Sequence, residues 1–533
     1  MNRKRAAALV AGLGSLTLAI AGCGAGNPGN SGGGGEGGNA AAVIVGTTDK
    51  VVSIDPAGSY DNGSLNVQTQ VYSYLLNFPE GETTPQPDAA KSCDFTKPTV
   101  YTCEMKDGLK FANGHELSAS DVAFSFNRIR KINDPNGPAA LLGAMKSVKA
   151  EGNKVVFTLK SPNDQTFPQV LVTSAGPIVD EESYPADKVL SDDEVVKSKG
   201  TSGPYTITSY QKNQLAEFKA NPDYNGTYGK PKLDAVTMKY YADANNLKLD
   251  IQNKDIDVAY RSLTPTDIAN LKGVDGLTVH TGPGGESRYL VFNLKTMPGD
   301  NDKQKLAIRQ AMASSVDRQA IADEVYKGTV TPEWSPIPEG QLAAATPFKD
   351  LYGEKPDKAK AAKYLKDAGV KAPVNLDLWY NPDHYGSSSA DEYNAIKRQL
   401  EATGLFTVKL QSAEWTTYNA ERVKDSYPIY QLGWFPDFPD SDNYLTPFFA
   451  PDNFVDNHYE NPAMTKLLDS EVTDSDEASR KKTLVKIQDL SAKEVSILPL
   501  LTGSQVAVAK NEVKGVKNTL DPSFKFRFTS LSK

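Results

Sequence analysis

The chain has 533 residues, 39% of them hydrophobic and 23% charged, with a formal net charge of -8. That length is too great for one small core and predicts two or three domains of about 100–200 residues. No basic patch, arginine-rich arm or zinc-finger spacing occurs, so nucleic acid is not expected as a partner.

Arg3, Lys4 and Arg5 make a positive start, and residues 6–20 are apolar or small throughout. Ile20-Ala21-Gly22-Cys23 then reads as a lipobox: an aliphatic residue, two small ones and a cysteine. Small residues let a signal peptidase approach the cleaved bond, and the Cys23 thiol would carry a diacylglycerol anchor. The competing reading, a membrane-spanning helix, needs about 20 apolar residues. This run is shorter and ends in glycines. Residues 1–22 are therefore expected to be a lipoprotein signal peptide. Losing Arg3, Lys4 and Arg5 would take the formal charge from -8 to about -11. Residues 23–39 are rich in Gly, Asn and Ser and form a tether that cannot bury a core. Such a leash reaches roughly 20–25 Å, enough to hold a folded body just off a membrane.

Residues 43–48 read as an opening strand and 51–56 as an extended run ending in a turn. Residues 66–76 have helical spacing, with Val67, Val71 and Leu75 on one face. Cys93 and Cys103 bracket nine residues with Lys97-Pro98 in the middle, the pattern of a hairpin. Outside the cell a disulfide is expected, two free thiols being the alternative. Residues 101–111 suggest a second hairpin, turning at Asp107-Gly108. Ser118 with Asp121 forms a capping box for a helix whose stripe is Val122, Phe126 and Ile129.

Residues 155–159 are a strand, and 200–218 a strand series. Residues 221–226 are a turn, 235–240 a strand, 245–252 a helix and 256–260 extended. Gly282-Pro283-Gly284-Gly285 breaks the pattern and is the best candidate for a domain crossing or hinge. Residues 288–294 form a strand. A single long helix is expected over 302–326, and a proline-rich loop over 333–347. Helices follow from Asp357 to residue 368 and over 390–403, with Gly369 and Gly404 ending them. A strand at 407–411 leads to Trp415. A helix covers 476–495, and 498–509 is extended. This alternation argues an α/β protein in large lobes with mixed sheets flanked by helices.

The chain centres on Gly433-Trp434-Phe435-Pro436-Asp437-Phe438-Pro439. It follows a strand-like run, 429–434, that Pro436 and Pro439 terminate. Asp437 thus sits in a stiff turn among Trp434, Phe435 and Phe438. A carboxylate shielded by rings is costly unless it meets a cation, either a protein Lys or Arg or a ligand amine. Gly433 leaves room for another backbone. A strand edge, a bare glycine, ring walls and a lone carboxylate suit an extended peptide with a free amino terminus. The alternative is an ordinary Pro/Asp-rich surface turn.

Catalytic signals are absent from the sequence. His115, His280, His384 and His458 make no zinc pair, and no nucleophile elbow or phosphate loop occurs. Asp437, Asp440 and Asp442 lack calcium-loop spacing and are expected to cap turns. A pair of carboxylates distant in sequence, as in a secreted glycoside hydrolase, stays open.

Several stretches together resemble the family 5 solute-binding proteins of ABC importers, the oligopeptide- and dipeptide-binding group. Residues 107–128, from Asp107-Gly108-Leu109-Lys110-Phe111 through Ser118-Ala119-Ser120-Asp121-Val122 to Arg128, are similar to the family's signature. Gly203-Pro204-Tyr205, Asn221-Pro222-Asp223-Tyr224, Asp257, Asn293, Arg309-Gln310-Ala311 and Asp317-Arg318 follow in the family's order. So does the stretch from Ala359 to Gly369. The likeness covers nearly all of 43–533.

The resemblance implies a two-lobe, periplasmic-binding-protein-like clamp with three subdomains. Lobe I would be discontinuous, at 40–72, 185–281 and 500–533. The second subdomain would span 73–184 and lobe III 282–499. The ligand would be buried on hinge closure, held as an added strand.

Gly433-Trp434-Phe435-Pro436-Asp437 matches the family's G-W-x-x-D motif. By that match Asp437 pairs with a ligand α-ammonium, and the backbone of 433–435 pairs with a peptide. Trp415, Tyr418 and Arg422 lie in a stretch similar to the one preceding that motif. Trp415 is placed to line a side-chain pocket, and Arg422 to meet a ligand carboxylate or a lobe salt bridge. Plain packing is the alternative for these residues.

The expected protein is a lipid-anchored, extracytoplasmic monomer that captures peptides for an ABC permease, without catalysis, cofactor or metal. An oligosaccharide or a metal chelate is the alternative ligand.

Overall fold

The computed structural model describes residues 42–533 except 262, 387 and 452. The signal peptide, the tether and Cys23 lie outside the described residues. No helix among the described residues is long and apolar enough to cross a membrane.

Three main sheets build the body. The seven-stranded sheet runs, in spatial order, Leu277–Gly282, Gln505–Lys510, Val258–Tyr260, Ala42–Thr47, Ala235–Tyr240, Leu215–Ala220 and Tyr205–Gln211. Ala42–Thr47 pairs in parallel on both sides, and the other pairs are antiparallel. The six-stranded sheet runs Val330–Pro332, Ile497–Gly503, Ser287–Phe292, Ile429–Trp434, Val374–Tyr380 and Phe406–Ser412. The four-stranded antiparallel sheet runs Ala90–Lys97, Val100–Met105, Lys154–Leu159 and Met145–Glu151.

Both faces of the six-stranded sheet are covered. Leu290, Phe292, Leu376 and Leu498 pack on one side, and Tyr289, Val291, Tyr430 and Leu432 on the other. A strand covered on both faces has no polar alternation, and Ser287–Phe292 is buried at every position.

The chain crosses between the seven- and six-stranded sheets at 283–286 and again at Ser504. The two crossings touch. A Cβ on Gly284 would lie 1.3 Å from the Gly503 carbonyl oxygen. Gly503 N–H donates to the Glu286 carbonyl at 2.8 Å, and the Gln505 side-chain amide donates to the Pro283 carbonyl at 3.0 Å. The glycine run therefore lies where one backbone presses on another.

Most predicted elements form as expected, with five differences. The helix at 66–76 is Asn62–Val71, capped by Asp61, and the chain is extended from Tyr72. The hairpin expected at Asp107-Gly108 does not form. Val100–Met105 pairs instead with Ala90–Lys97 and Lys154–Leu159, and Gly108 takes a left-handed bend at φ 73°. The helix at 302–326 is two, Asp302–Ala313 and Arg318–Glu324, because Asp317 caps a new start. Its carboxylate accepts from Ala320 N–H at 2.9 Å, which competes with continuing the first helix. The run at 498–509 is two strands in different sheets. Helices Trp415–Arg422 and Pro462–Val472 were not anticipated, though Glu414 and Asn461 cap them. The capping box of Ser118 and Asp121 is present, and Cys93 and Cys103 form a disulfide across paired strands.

The signature helix Ala119–Ile132 is tied to the loop after the first strand. Arg128 donates twice to Asp55, at 2.7 and 2.6 Å, with both side chains fully buried. Asp55→Ala leaves that guanidinium without its counter-charge, and the expected loss is about 3–5 kcal/mol. A urea denaturation series checks it. Gly284→Ala has no rotamer that avoids the Gly503 carbonyl, so it is expected to lower the thermal midpoint. Ala substitution at Gly273, whose Cβ would meet nothing within 4 Å, is the control.

Candidate functional site

The strand Ile429–Trp434 explains how the focal turn is presented. It pairs with Ser287–Phe292 at all six positions, but with Val374–Tyr380 only at Ile429 and Tyr430. The edge beyond Tyr430 has no strand partner there. Instead the Asn381 N–H donates to the Gln431 side chain at 2.9 Å. The Tyr385 ring lies against Gly433, where a Cβ would come within 2.8 Å of it. The Gly433 N–H faces the Tyr385 hydroxyl. Gly433 is therefore bare because a ring of the same chain needs the space. No local pattern signals that, since Tyr385 lies in an irregular loop.

Past the strand, Asn443 organises the turn. Its Oδ1 accepts from the Trp434 indole N–H at 3.1 Å and from the Asp437 backbone N–H at 2.9 Å. Its Nδ2 reaches Asp437 Oδ2 only at 3.5 Å. The Trp434 ring is set edge-on to Phe448 and tilted against Phe454. Phe438, expected beside Asp437, packs into the core of the four-stranded sheet instead.

Asp437 is largely withdrawn from water, and no described Lys or Arg forms an ion pair with it. Burial pushes its carboxyl up to about 6, against the weaker opposing effect of Asn443. Its one close partner is the hydroxyl of Tyr60, which donates to Oδ1 across 377 positions of sequence. Asn443 lay within the focal stretch and its side-chain amide could have been weighed. Nothing in the sequence marked Tyr60.

The other acids of the turn are committed. Asp440 takes two bonds from Arg480, at 2.7 and 3.0 Å, and Arg480 also meets Glu471 at 2.9 Å. Burial and the neighbouring Asp442 carboxylate push the Glu471 carboxyl well above the usual range, against the pull of Arg480. Asp440 also accepts from the Asp442 N–H, the turn-capping role expected of it. No cluster of three or more metal-ligating side chains occurs among the described residues.

Trp415, Tyr418 and Arg422 share the helix Trp415–Arg422. Trp415 stacks on His384 at 3.8 Å and nearly parallel, so it supports the 383–386 loop. Tyr418 is buried, and its hydroxyl donates to the Gln431 carbonyl at 2.9 Å. Arg422 makes no ion pair with any described residue. Its guanidinium donates to Asn419 and to the carbonyls of Phe454 and Val455, and lies over the Phe454 ring. These bonds pin the 453–456 loop and leave Arg422 buried, away from the cavity wall.

A cavity of about 540 Å³ lies between the seven- and six-stranded sheets. Thr48, Arg261 and Thr264 wall one side, Arg288, His384 and Phe435 the other, and the second crossing, 503–505, closes the back. Arg288 is bonded to Glu286, to the Tyr326 hydroxyl and to buried Glu392. Arg261 meets Asp49 only at 3.7 Å. Phe435 faces this space, while Tyr60 covers Asp437 two residues further on. The volume suits a small ligand, since such pockets run to about 300–1,000 Å³.

The model of the bacterial extracellular solute-binding proteins, family 5, middle portion, matches residues 84–456. The chain is 26% identical over 415 residues to the "Dipeptide-binding protein" of Escherichia coli, covering 74% of each chain. It is 24% identical over 528 residues to the "Oligopeptide-binding protein OppA" of Bacillus subtilis, covering 94% of each. Among solved structures it is similar to the periplasmic binding protein DppA from Helicobacter pylori in complex with the peptide STSA. That match has a TM-score of 0.72 at 20% identity and covers 92% of this chain and 98% of that one. The mixed sheets and flanking helices are those of a two-lobe binding protein.

A carboxylate raised by burial makes the folded empty protein less stable above its pKa than below it. Asp437→Asn removes that charge. It is expected to raise the thermal midpoint at pH 7.5, and the advantage should fade as pH falls from about 6 toward 4, where Asp437 takes up its proton. Thermal melts of the two proteins across that range check it.

Proposed function

The chain belongs to the bacterial extracellular solute-binding proteins of family 5, and on that basis we propose that it captures peptides by their free amino terminus. Its family and the relatives it matches are binding proteins, so it is not an enzyme, and the hydrolase alternative is set aside. The carrying observation is Asp437, a shielded carboxylate at a strand end that no Lys or Arg among the described residues pairs with. A ligand α-ammonium supplies the missing charge. The strand edge beyond Tyr430 supports the same reading, because it lacks a second strand partner there and an extended peptide displacing Tyr385 would meet the backbone of Gly433 and Trp434. Phe435 and the loop backed by Trp415 and His384 would contact the ligand's first side chains. Several curated relatives are named for dipeptides or oligopeptides, which agrees with an amine-bearing ligand.

The wider role follows from the N-terminal sequence. Cys23 would hold the protein to the extracytoplasmic face of the membrane, with 24–39 as its leash. The body, a monomer, would deliver its ligand to an ABC permease. Lobe I is assigned to 40–72, 185–281 and 504–533, the second subdomain to 73–184 and lobe III to 282–503, the boundary expected at 500 moving to Ser504 because Ile497–Gly503 lies in the six-stranded sheet.

Calorimetric titration with di- to hexapeptides tests the ligand class. Free peptides are expected to bind. Amino-terminal acetylation or Asp437→Asn should each weaken binding by about 2–5 kcal/mol, roughly tens- to thousands-fold. Affinity should also fall as pH drops below about 6, because protonated Asp437 offers no charge to the ammonium. Peptides that fail to bind, or that bind equally when acetylated, would turn the search to oligosaccharides and metal chelates.

A further inference from the structure

Tyr60 is built to reach Asp437. The segment around it is interior: Ile54, Asp55, Ala57, Ser59 and Ser64 are all buried, while the Tyr60 side chain is 47% exposed. Both flanks are pinned. On one side Asp55 is locked by Arg128 and accepts from the Ala57 N–H at 3.0 Å. The next residue toward Tyr60, Ser59, accepts from the Gln68 side-chain amide at 2.8 Å. On the other side Asp61 caps its helix, accepting from Ser64 N–H at 2.8 Å and from the Ser64 hydroxyl at 2.7 Å. A side chain held out from two fixed caps loses little freedom when it makes a contact. Its hydroxyl meets the Asp437 carboxylate, with which no described Lys or Arg forms an ion pair.

We propose that Tyr60 is a latch: its hydroxyl occupies the ammonium position on Asp437 in the empty, closed cleft, and the ligand's ammonium must displace it. The inference rests on the reading of Asp437 as the ammonium anchor. The two donors compete for one acceptor but differ in charge. The phenol offers a hydrogen bond, whereas an ammonium adds full opposite charge, so it can win the exchange at a half-buried carboxylate. A neutral donor would only replace one such bond with another. The latch joins the segment after Ala42–Thr47 of the seven-stranded sheet to the turn after Ile429–Trp434 of the six-stranded sheet, so it also biases the empty protein toward closure. Apparent affinity is then reduced by the fraction of molecules still latched.

Tyr60→Phe removes the hydroxyl and keeps the ring. Small-angle scattering of the ligand-free protein is expected to show a larger radius of gyration for the variant than for the wild type. Titration with free-amino peptides should show binding about tenfold tighter, the scale of one hydrogen bond to a charged group. Unchanged scattering, or opening without a gain in affinity, overturns the latch. So does weaker binding, which would mean that Tyr60 helps hold the ligand. Should the wild type bind no peptide at all, the peptide reading fails. The scattering comparison, which uses no ligand, then decides the latch alone: opening supports it and no change overturns it.

Discussion

Everything at the cleft depends on two lengths of backbone being pressed together. The chain passes between its two large sheets twice, and at the contact a side chain on Gly284 would overlap the Gly503 carbonyl. Two adjacent crossings, bonded through Gly503 and Gln505, join the sheets without a bulky interface. Such a joint can rotate while both sheets stay intact, because a few loop residues absorb the change. It also forms the back wall of the cavity, and Glu286 and Arg288 extend from it directly into the lining. Position in the fold, rather than any one side chain, makes that place the cleft.

Charge is handled in opposite ways in the framework and at the cleft. Arg128 is paired with Asp55, Arg480 with Asp440 and Glu471, and Arg527 with Asp521, all within the interior. Removing one member of such a pair is severe, because the other is left charged and dry. Asp437 breaks this pattern. It is withdrawn from water, raised in pKa, and matched only by a phenol and a distant amide. A framework group in that state would be a defect. On the proposed role of Asp437 as ammonium anchor, it is stability given up so that affinity appears only when a cation arrives.

The turn that carries Asp437 is held from below and behind. Asn443 bonds Trp434 and the Asp437 backbone, and the Asp440–Arg480–Glu471 group fixes the chain just beyond. Phe438 inserts into the core of a different sheet. Rotation of the Asp437 carboxylate is thereby limited by groups that never touch a ligand. The helix Trp415–Arg422 serves in the same way, with Tyr418 tied to the strand and Arg422 to a loop.

Local signals were legible wherever local physics decides the outcome. The Ser118 and Asp121 capping box, the Cys93 and Cys103 hairpin, the strand ended by Pro436 and the break at Gly282 to Gly285 all follow from near neighbours. So does the placing of Asp437 in a stiff turn. Legibility failed where distant chain competes. The single helix over 302–326 is split because Asp317 starts a new one, and periodicity alone reads through that break. The run at 498–509 looks continuous, but Ser504 passes it from one sheet to another, a choice made by strands hundreds of residues away. Gly433 looked open, and Tyr385 fills the space. Arg422 looked available, and carbonyls of the 453–456 loop take it. The sequence by itself determined the elements, the family likeness and the carboxylate at the focal turn. Only the tertiary structure decided what that carboxylate faces. Tyr60 meets it across 377 positions, and no local pattern encodes a contact between segments so far apart in sequence.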